Sequence, residues 1–245
     1  MFISRRTLVS SASAAVPLAA VFSQSITGHP QGRQKIVVAG GHPGDPECGC
    51  GGVIARYAQA GHEVVLLYLN RGEAFCKGAD LRQCGAVRTA EAENACRILK
   101  ARASFAGQYD GRSIVDNPHY DEFRRALDSE KPDVVFAHWP IDKHRDHRAL
   151  STLVLDAWLA GGKRSALFFY EVAEDAMMFS PTEFVDISGV ESQRRAACYA
   201  HASQQPDKWY PAQAELTRFR GIAAGFPQAE AFVRHWESRR DVGLP

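Results

Sequence analysis

His42-Pro43-Gly44-Asp45-Pro46-Glu47 and, about a hundred residues later, His144-Arg145-Asp146-His147 gather imidazoles and carboxylates into two short clusters. A catalytic zinc takes three protein ligands from His, Asp or Glu and leaves a position open for water. His42 and Asp45 stand three apart around a Pro-containing turn, so both can face one cleft, and His147 completes a three-ligand set from the later segment. Zn2+ held there would bring the pKa of a water molecule down to about 7 and polarise a carbonyl, the two things amide hydrolysis needs most. The bland alternative is that these are separate surface and turn residues. It would serve for a lone histidine, but not for two clusters that fall at matching points of the fold.

Those points follow from the pattern of the chain. Ile36-Val37-Val38-Ala39 is a continuous apolar run ended by Gly40-Gly41, as a buried parallel strand reads. The spacing then predicts a helix over 51–60, a strand over 63–69, a helix over 82–100 and a short strand over 103–105. A helix over 120–129, a strand over 133–137, a helix over 148–159 and a strand over 166–172 follow. An edge strand over 184–187 and helices over 189–202 and 211–225 close the chain. This alternation describes a single α/β domain, with a Rossmann-like, mainly parallel sheet flanked by helices. Such sheets bind ligands beyond the carboxyl ends of their strands. His42 lies past the first strand, Arg71 to Glu73 past the second, and Asp142 to His147 past the fourth. Three segments converge on one edge.

The 245 residues suit one domain, with 45% hydrophobic and 23% charged content. Lys and Arg total 29 against 28 acids, which gives no electrostatic case for nucleic acid. The first 26 residues differ from the rest: Arg5-Arg6 precedes an acid-free, Ala/Ser/Val-rich run reaching Phe22, too short and weak to span a bilayer. This resembles a twin-arginine export signal, with cleavage between Ala20 and Gly28 and a periplasmic or extracellular destination in a bacterium. No stable membrane insertion is expected once it is removed, and the remaining 27–245 form the folded domain. In an oxidising compartment cysteines can pair. Cys76 and Cys84 flank a short loop and could bridge, whereas Cys48 and Cys50 read as small buried thiols.

The two histidine motifs together resemble the PIG-L (LmbE-like) family of zinc-dependent N-deacetylases, whose members open on a strand followed by His-Pro-Asp-Asp-x-Glu and later carry His-x-Asp-His. The likeness runs from about Lys35 to Gln204. Gly49-Cys50-Gly51-Gly52, Arg71-Gly72-Glu73, Arg88-Thr89-Ala90-Glu91, Pro132-Asp133-Val134-Val135 and His201-Ala202-Ser203-Gln204 support it. The resemblance implies zinc on His42, Asp45 and His147. It also implies a His144 that stabilises the tetrahedral intermediate or protonates the leaving amine, and an Asp146 that orients a histidine. Arg88 would touch a polar or anionic part of the substrate. Glu73 would lie near the site, binding substrate or fixing its loop.

One position departs from the family. The first Asp after His-Pro normally takes the water's proton, a contribution of roughly 10²–10⁴-fold, and here it is Gly44. Three readings stand open: another carboxylate substitutes (Asp142 foremost, or Glu73), His144 alone assists the zinc-bound hydroxide, or hydrolysis has been lost. The leading expectation is a zinc-dependent hydrolase that removes an acetyl (acyl) group from an N-acetylated small molecule, an amino-sugar derivative or related amide. The alternative is an exported, catalytically impaired carbohydrate- or metal-binding protein on the same fold. A nucleotide-binding Rossmann protein is disfavoured, because the glycines at 40, 41 and 44 do not form GxGxxG. The sequence is silent on oligomeric state. His62, His119, His138 and His235 carry no partner pattern, and His201 either approaches the cleft or packs the last helix. Trp139, Trp209, Tyr210 and Trp236 are read first as packing and second as sugar-stacking rings.

Overall fold

The computed structural model describes residues 32–76 and 80–245; the expected export segment lies outside them. Strands β1 (Lys35–Gly40), β2 (Glu63–Tyr68), β3 (Arg102–Phe105), β4 (Val134–His138) and β5 (Ala166–Tyr170) are parallel to their neighbours within this group. β6 (Glu183–Asp186) and β7 (Ala229–Arg234) add an antiparallel margin, in the order β3-β2-β1-β4-β5-β7-β6. Helices α1 (Asp45–Gln59), α2 (Leu81–Leu99), α3 (Asn117–Glu130), α4 (Arg145–Ala160), α5 (Glu191–Tyr199) and α6 (Pro206–Ala224) join them.

The continuous apolar strands divide their side chains between two faces, as a sheet buried on both sides must. Ile36, Val38, Leu66, Phe136 and Phe168 pack with Val53, Ile54, Ala92, Ala95 and Ala197 on one face. Val37, Val65, Val135 and Leu167 pack with Phe123, Leu127, Leu150, Val154 and Trp158 on the other. Among the described residues no helix is long and apolar enough to cross a membrane.

Two departures from the expected elements bear on function. α1 begins at Asp45 rather than near 51, so Asp45 and Glu47 occupy its first turn and are held by helical geometry. The Pro46 and glycine-rich opening hid that start from the spacing argument, yet proline is well suited to the first turn, where no N–H is needed. β7 was not expected, because its strand carries a buried Glu230. That carboxylate accepts from the Gly52 and Val53 backbone N–H at 2.7 and 2.8 Å and pairs with the buried Arg194, which donates to the Cys48 carbonyl. Together they fix α1 from behind. α6 starts at Pro206, five residues before the expected 211, and encloses Pro211.

Candidate active site

Strand order reverses at β1, with β2 and β3 built to one side and β4 and β5 to the other. The crevice beyond β1 and β4 is the switch point where open α/β sheets place ligands. His42 sits in the turn after β1, Asp45 opens α1, His138 ends β4, and His144 caps α4, whose first turn carries Asp146 and His147. The turn after β1 must be tight. A Cβ on Gly41 would lie 2.9 Å from the His147 ring and 3.3 Å from an Asp45 oxygen, so only glycine lets the two segments approach.

Asp45 Oδ2 is the centre of the cluster, 3.2 Å from His42 Nδ1, His147 Nε2 and His138 Nε2. The outer nitrogens of the two predicted ligands are also taken. His42 Nε2 lies 3.1 Å from Asp110 and 3.3 Å from Asp146, and His147 Nδ1 lies 3.2 Å from Asp142. This is the carboxylate–imidazole arrangement that fixes a metal-ligating histidine's tautomer and orientation.

The hydrogen bonds narrow which atoms could hold a cation. Four three-residue groupings of the described residues come together: His42 with His144 and His147, Asp45 with His138 and His147, His42 with Asp110 and Asp146, and Asp142 with His147 and Asp175. His138 Nε2 already accepts the Gly41 N–H at 3.1 Å, and His144 Nδ1 accepts the Asp146 N–H at 3.2 Å. His42 Nδ1, Asp45 Oδ2 and His147 Nε2 remain, one carboxylate oxygen with an imidazole nitrogen of each histidine 3.2 Å from it. Such a borderline donor set, with room left on the cavity side, suits zinc.

The same geometry sets the charges. Burial alone would lower both ligand imidazoles. Bonds to Asp110, Asp146 and Asp45 outweigh it and raise His42 well above its ordinary value; the charge of Asp45 and the bond to Asp142 push His147 up to about 9. Asp45 is held well below the usual carboxylate range: burial opposes this, but the His147 charge and the contacts with His138, His147 and His42 prevail. A bound divalent cation would replace the two protons crowded there. His144, by contrast, is lowered by burial and by the charges of His42 and His147, and His138 is lowered to about 4 by burial and His147.

The cluster opens into a cavity of about 220 Å³ whose lining includes Gly44, Arg88, Asp110, Asp175, His201 and Trp209. Arg88 is 3% exposed; it donates to the Pro43 carbonyl at 2.6 Å through Nη2, while Nε and Nη1 make no hydrogen bond.

Two of the expected residues lie outside the cavity wall. Asp142, expected to replace the missing base, is 1% exposed, receives the His144 N–H at 2.7 Å, and lies behind His147 rather than in the cavity wall. It holds His147 Nδ1 at 3.2 Å. Glu73, expected to bind substrate, is buried and accepts the Arg71 N–H at 3.0 Å, so it fixes its own loop. Asp146 sits against His42 rather than against His144. Three residues were missed. His138 betrays itself only as the last residue of β4. Asp110 follows β3 with no motif around it, and His201 lies in the His-Ala-Ser-Gln segment, whose approach to the cleft was one of two readings. Of the aromatic residues, Trp209 reaches the cavity, Tyr210 is buried against Glu191, and Trp236 is exposed. The Cys76–Cys84 disulfide is formed and Cys48 and Cys50 are buried free thiols.

Comparison with known proteins places this arrangement. The N,N'-diacetylchitobiose deacetylase from Pyrococcus horikoshii, solved with its inhibitor MPG, is 23% identical with a TM-score of 0.74, covering 82% of this chain and 84% of that one. The conserved protein TT1542 from Thermus thermophilus is 31% identical with a TM-score of 0.72, covering 84% of this chain and 100% of that one. GalB, the 4-carboxy-2-hydroxymuconate hydratase from Pseudomonas putida, is 19% identical with a TM-score of 0.74, covering 84% of this chain and 98% of that one. The fold thus serves more than one chemistry. Residues 37–158, which hold both histidine motifs, match the family model described as PIG-L, GlcNAc-PI de-N-acetylase, and the chain belongs to that family.

Proposed function

We propose that this protein is a zinc-dependent amide hydrolase that removes the acetyl group from an N-acetylated sugar or a similar small amide. The observation that carries the reading is the convergence of His42 Nδ1, Asp45 Oδ2 and His147 Nε2, with a carboxylate on the far nitrogen of each imidazole. Family membership and the deacetylase among the similar folds support it. When bound, zinc would polarise the acyl carbonyl and acidify the attacking water.

The chain's own residues supply the remainder. Because His144 Nδ1 accepts a backbone N–H, its neutral ring carries its proton on Nε2. That N–H can donate to the carbonyl oxygen as negative charge develops, the kind of stabilisation worth most in a site shielded from water. Arg88, whose Nη1 also pairs with Glu91 at 3.7 Å, would hold a hydroxyl or anionic group of the substrate. The 220 Å³ cavity is smaller than the roughly 300–1,000 Å³ of drug-sized sites, so it takes the acetylated end of a substrate and leaves the rest outside. Water adds to the acyl carbon, its proton reaches the nitrogen, and the C–N bond breaks to give acetate and a free amine.

The Arg5-Arg6 pair ahead of an acid-free apolar run supports export by the twin-arginine route to the periplasm or beyond, and the Cys76–Cys84 disulfide suits an oxidising compartment. Gly44 favours a second reading, a binding protein that has lost hydrolysis. Zinc analysis combined with acetate release from N-acetylglucosamine derivatives separates the two. The hydrolase is expected to hold one zinc and release acetate; bound zinc with no acetate from a broad amide panel would leave the binding protein.

A further inference from the structure

Beyond the metal ligands the cavity reaches a stretch of chain that the reaction leaves unused. Trp209 stands near the start of α6 and, alone of the four tryptophans, lines the cavity. Trp158 is buried in the core, Trp139 packs on Phe169 and Phe179, and Trp236 is 76% exposed. Trp209 Nε1 donates to the Gln204 carbonyl at 3.1 Å. That bond spends the side chain's single polar atom and fixes its edge, so what the indole offers the cavity is ring carbon.

Two amides stand beside it in the cavity wall. Gln213 is 2% exposed, and its Oε1 accepts the Ala173 N–H at 2.9 Å, tying α6 to the wall segment 172–175. Its NH2 has no hydrogen-bond partner among the described residues and is not sealed from solvent. Residues four apart share a face of a helix, so Trp209 and Gln213 are neighbours on α6. Gln204 donates through Nε2 to the Ser203 hydroxyl at 3.1 Å, and its Oε1 has no partner among the described residues.

We propose that Trp209, Gln204 and Gln213 form a subsite for a pyranose ring, with the sugar on the indole and its acetamido group directed at His42, Asp45 and His147. A pyranose carries C–H bonds on its faces and hydroxyls around its edge. The aromatic ring takes the face by apolar contact; the free NH2 and the free carbonyl oxygen take hydroxyls as donor and acceptor. An apolar wall with a few convergent polar groups is how a small-molecule site fixes orientation. An acyclic amide would leave the indole uncovered and both glutamines unpaired. All three residues lie beyond residues 37–158, which match the family model. Recognition of the ring is thus carried by a different part of the chain from the metal cluster.

This proposal rests on the sugar-amide reading above, and two measurements on the zinc-loaded protein keep their failures apart. NMR of the nitrogen-15 indole groups reads binding without turnover. The Trp209 signal is identified by its loss in Trp209→Phe, and methyl glucosaminide, the deacetylated product, is the probe. We expect that signal to shift on titration; one that stays put throughout overturns the subsite, whether or not the protein hydrolyses amides. Kinetics read specificity, as the ratio of kcat/KM for methyl N-acetylglucosaminide to that for N-acetylethanolamine. Trp209→Leu is expected to lower the ratio about 10–100-fold, and Trp209→Phe, which keeps a flat ring, to restore much of it. Gln213→Glu keeps an oxygen for the Ala173 N–H but removes the NH2 donor, and should lower the ratio about two- to tenfold. Equal losses on both amides, leaving the ratio unchanged, would show that Trp209 only packs and would overturn the proposal. Wild-type protein that hydrolyses neither amide sinks the hydrolase reading, and the Trp209 signal then decides the subsite alone.

Discussion

On the His42–His147 side of the cavity, each imidazole has a carboxylate on one nitrogen and shares a second carboxylate, Asp45, on the other. On the His201 side, one buried carboxylate takes one nitrogen, and no described residue takes the other. The backing device is the same and the outcome differs. Where lone pairs and negative charge converge from three directions, the site wants a cation. Gly44 lies against the His201 ring, on the second side.

The contrast can be broken most forcefully by pH. In the metal-free protein His147 is protonated below about 9, and His42 also stays protonated above its ordinary range. Zinc must displace those protons. Apparent zinc affinity should therefore fall as pH is lowered, by about tenfold per unit for His147 alone, or about a hundredfold from pH 9 to 7. Calorimetry in buffers of different ionisation enthalpy should register the released protons; a pH-independent affinity would remove the two imidazoles from the ligand set.

Asp142→Asn sharpens the metal side. As the partner of His147 Nδ1 it should weaken zinc binding by about 10–100-fold, read by competition with a chelating dye. Full affinity with turnover abolished would return Asp142 to the role of base. The smallest effect is expected on the other side. Tyr68→Phe removes one of the three donors to Glu47 and should lower stability by about 0.5–1.5 kcal/mol. Zinc affinity should stay unchanged, because no bond joins Tyr68 to the ligands. Thermal unfolding beside a zinc titration tests both halves; a Tyr68→Phe protein that loses zinc would show that the two sides are coupled.

The parallel sheet was legible because continuous apolar runs have few alternatives, and the strand-end rule then carried His42, Asp45 and His147 to one edge. α1's first turn was obscured by the proline and glycine that make it possible. β7 was obscured by Glu230, a charge whose justification is Arg194 and two backbone donors on other elements. Asp142 shows a related limit: its place in the chain offered a base, and in space it sits against His147 Nδ1.

By itself the sequence determined the fold class, the two histidine motifs and the glycine at position 44, since each is a matter of residue type and local spacing. Tertiary structure alone decided which nitrogen of each histidine faces which carboxylate, and that His201 and Glu47 meet beside Gly44 across 154 residues. Hydrogen bonds between distant segments leave no periodicity in the chain, and they choose the tautomers on which the chemistry depends.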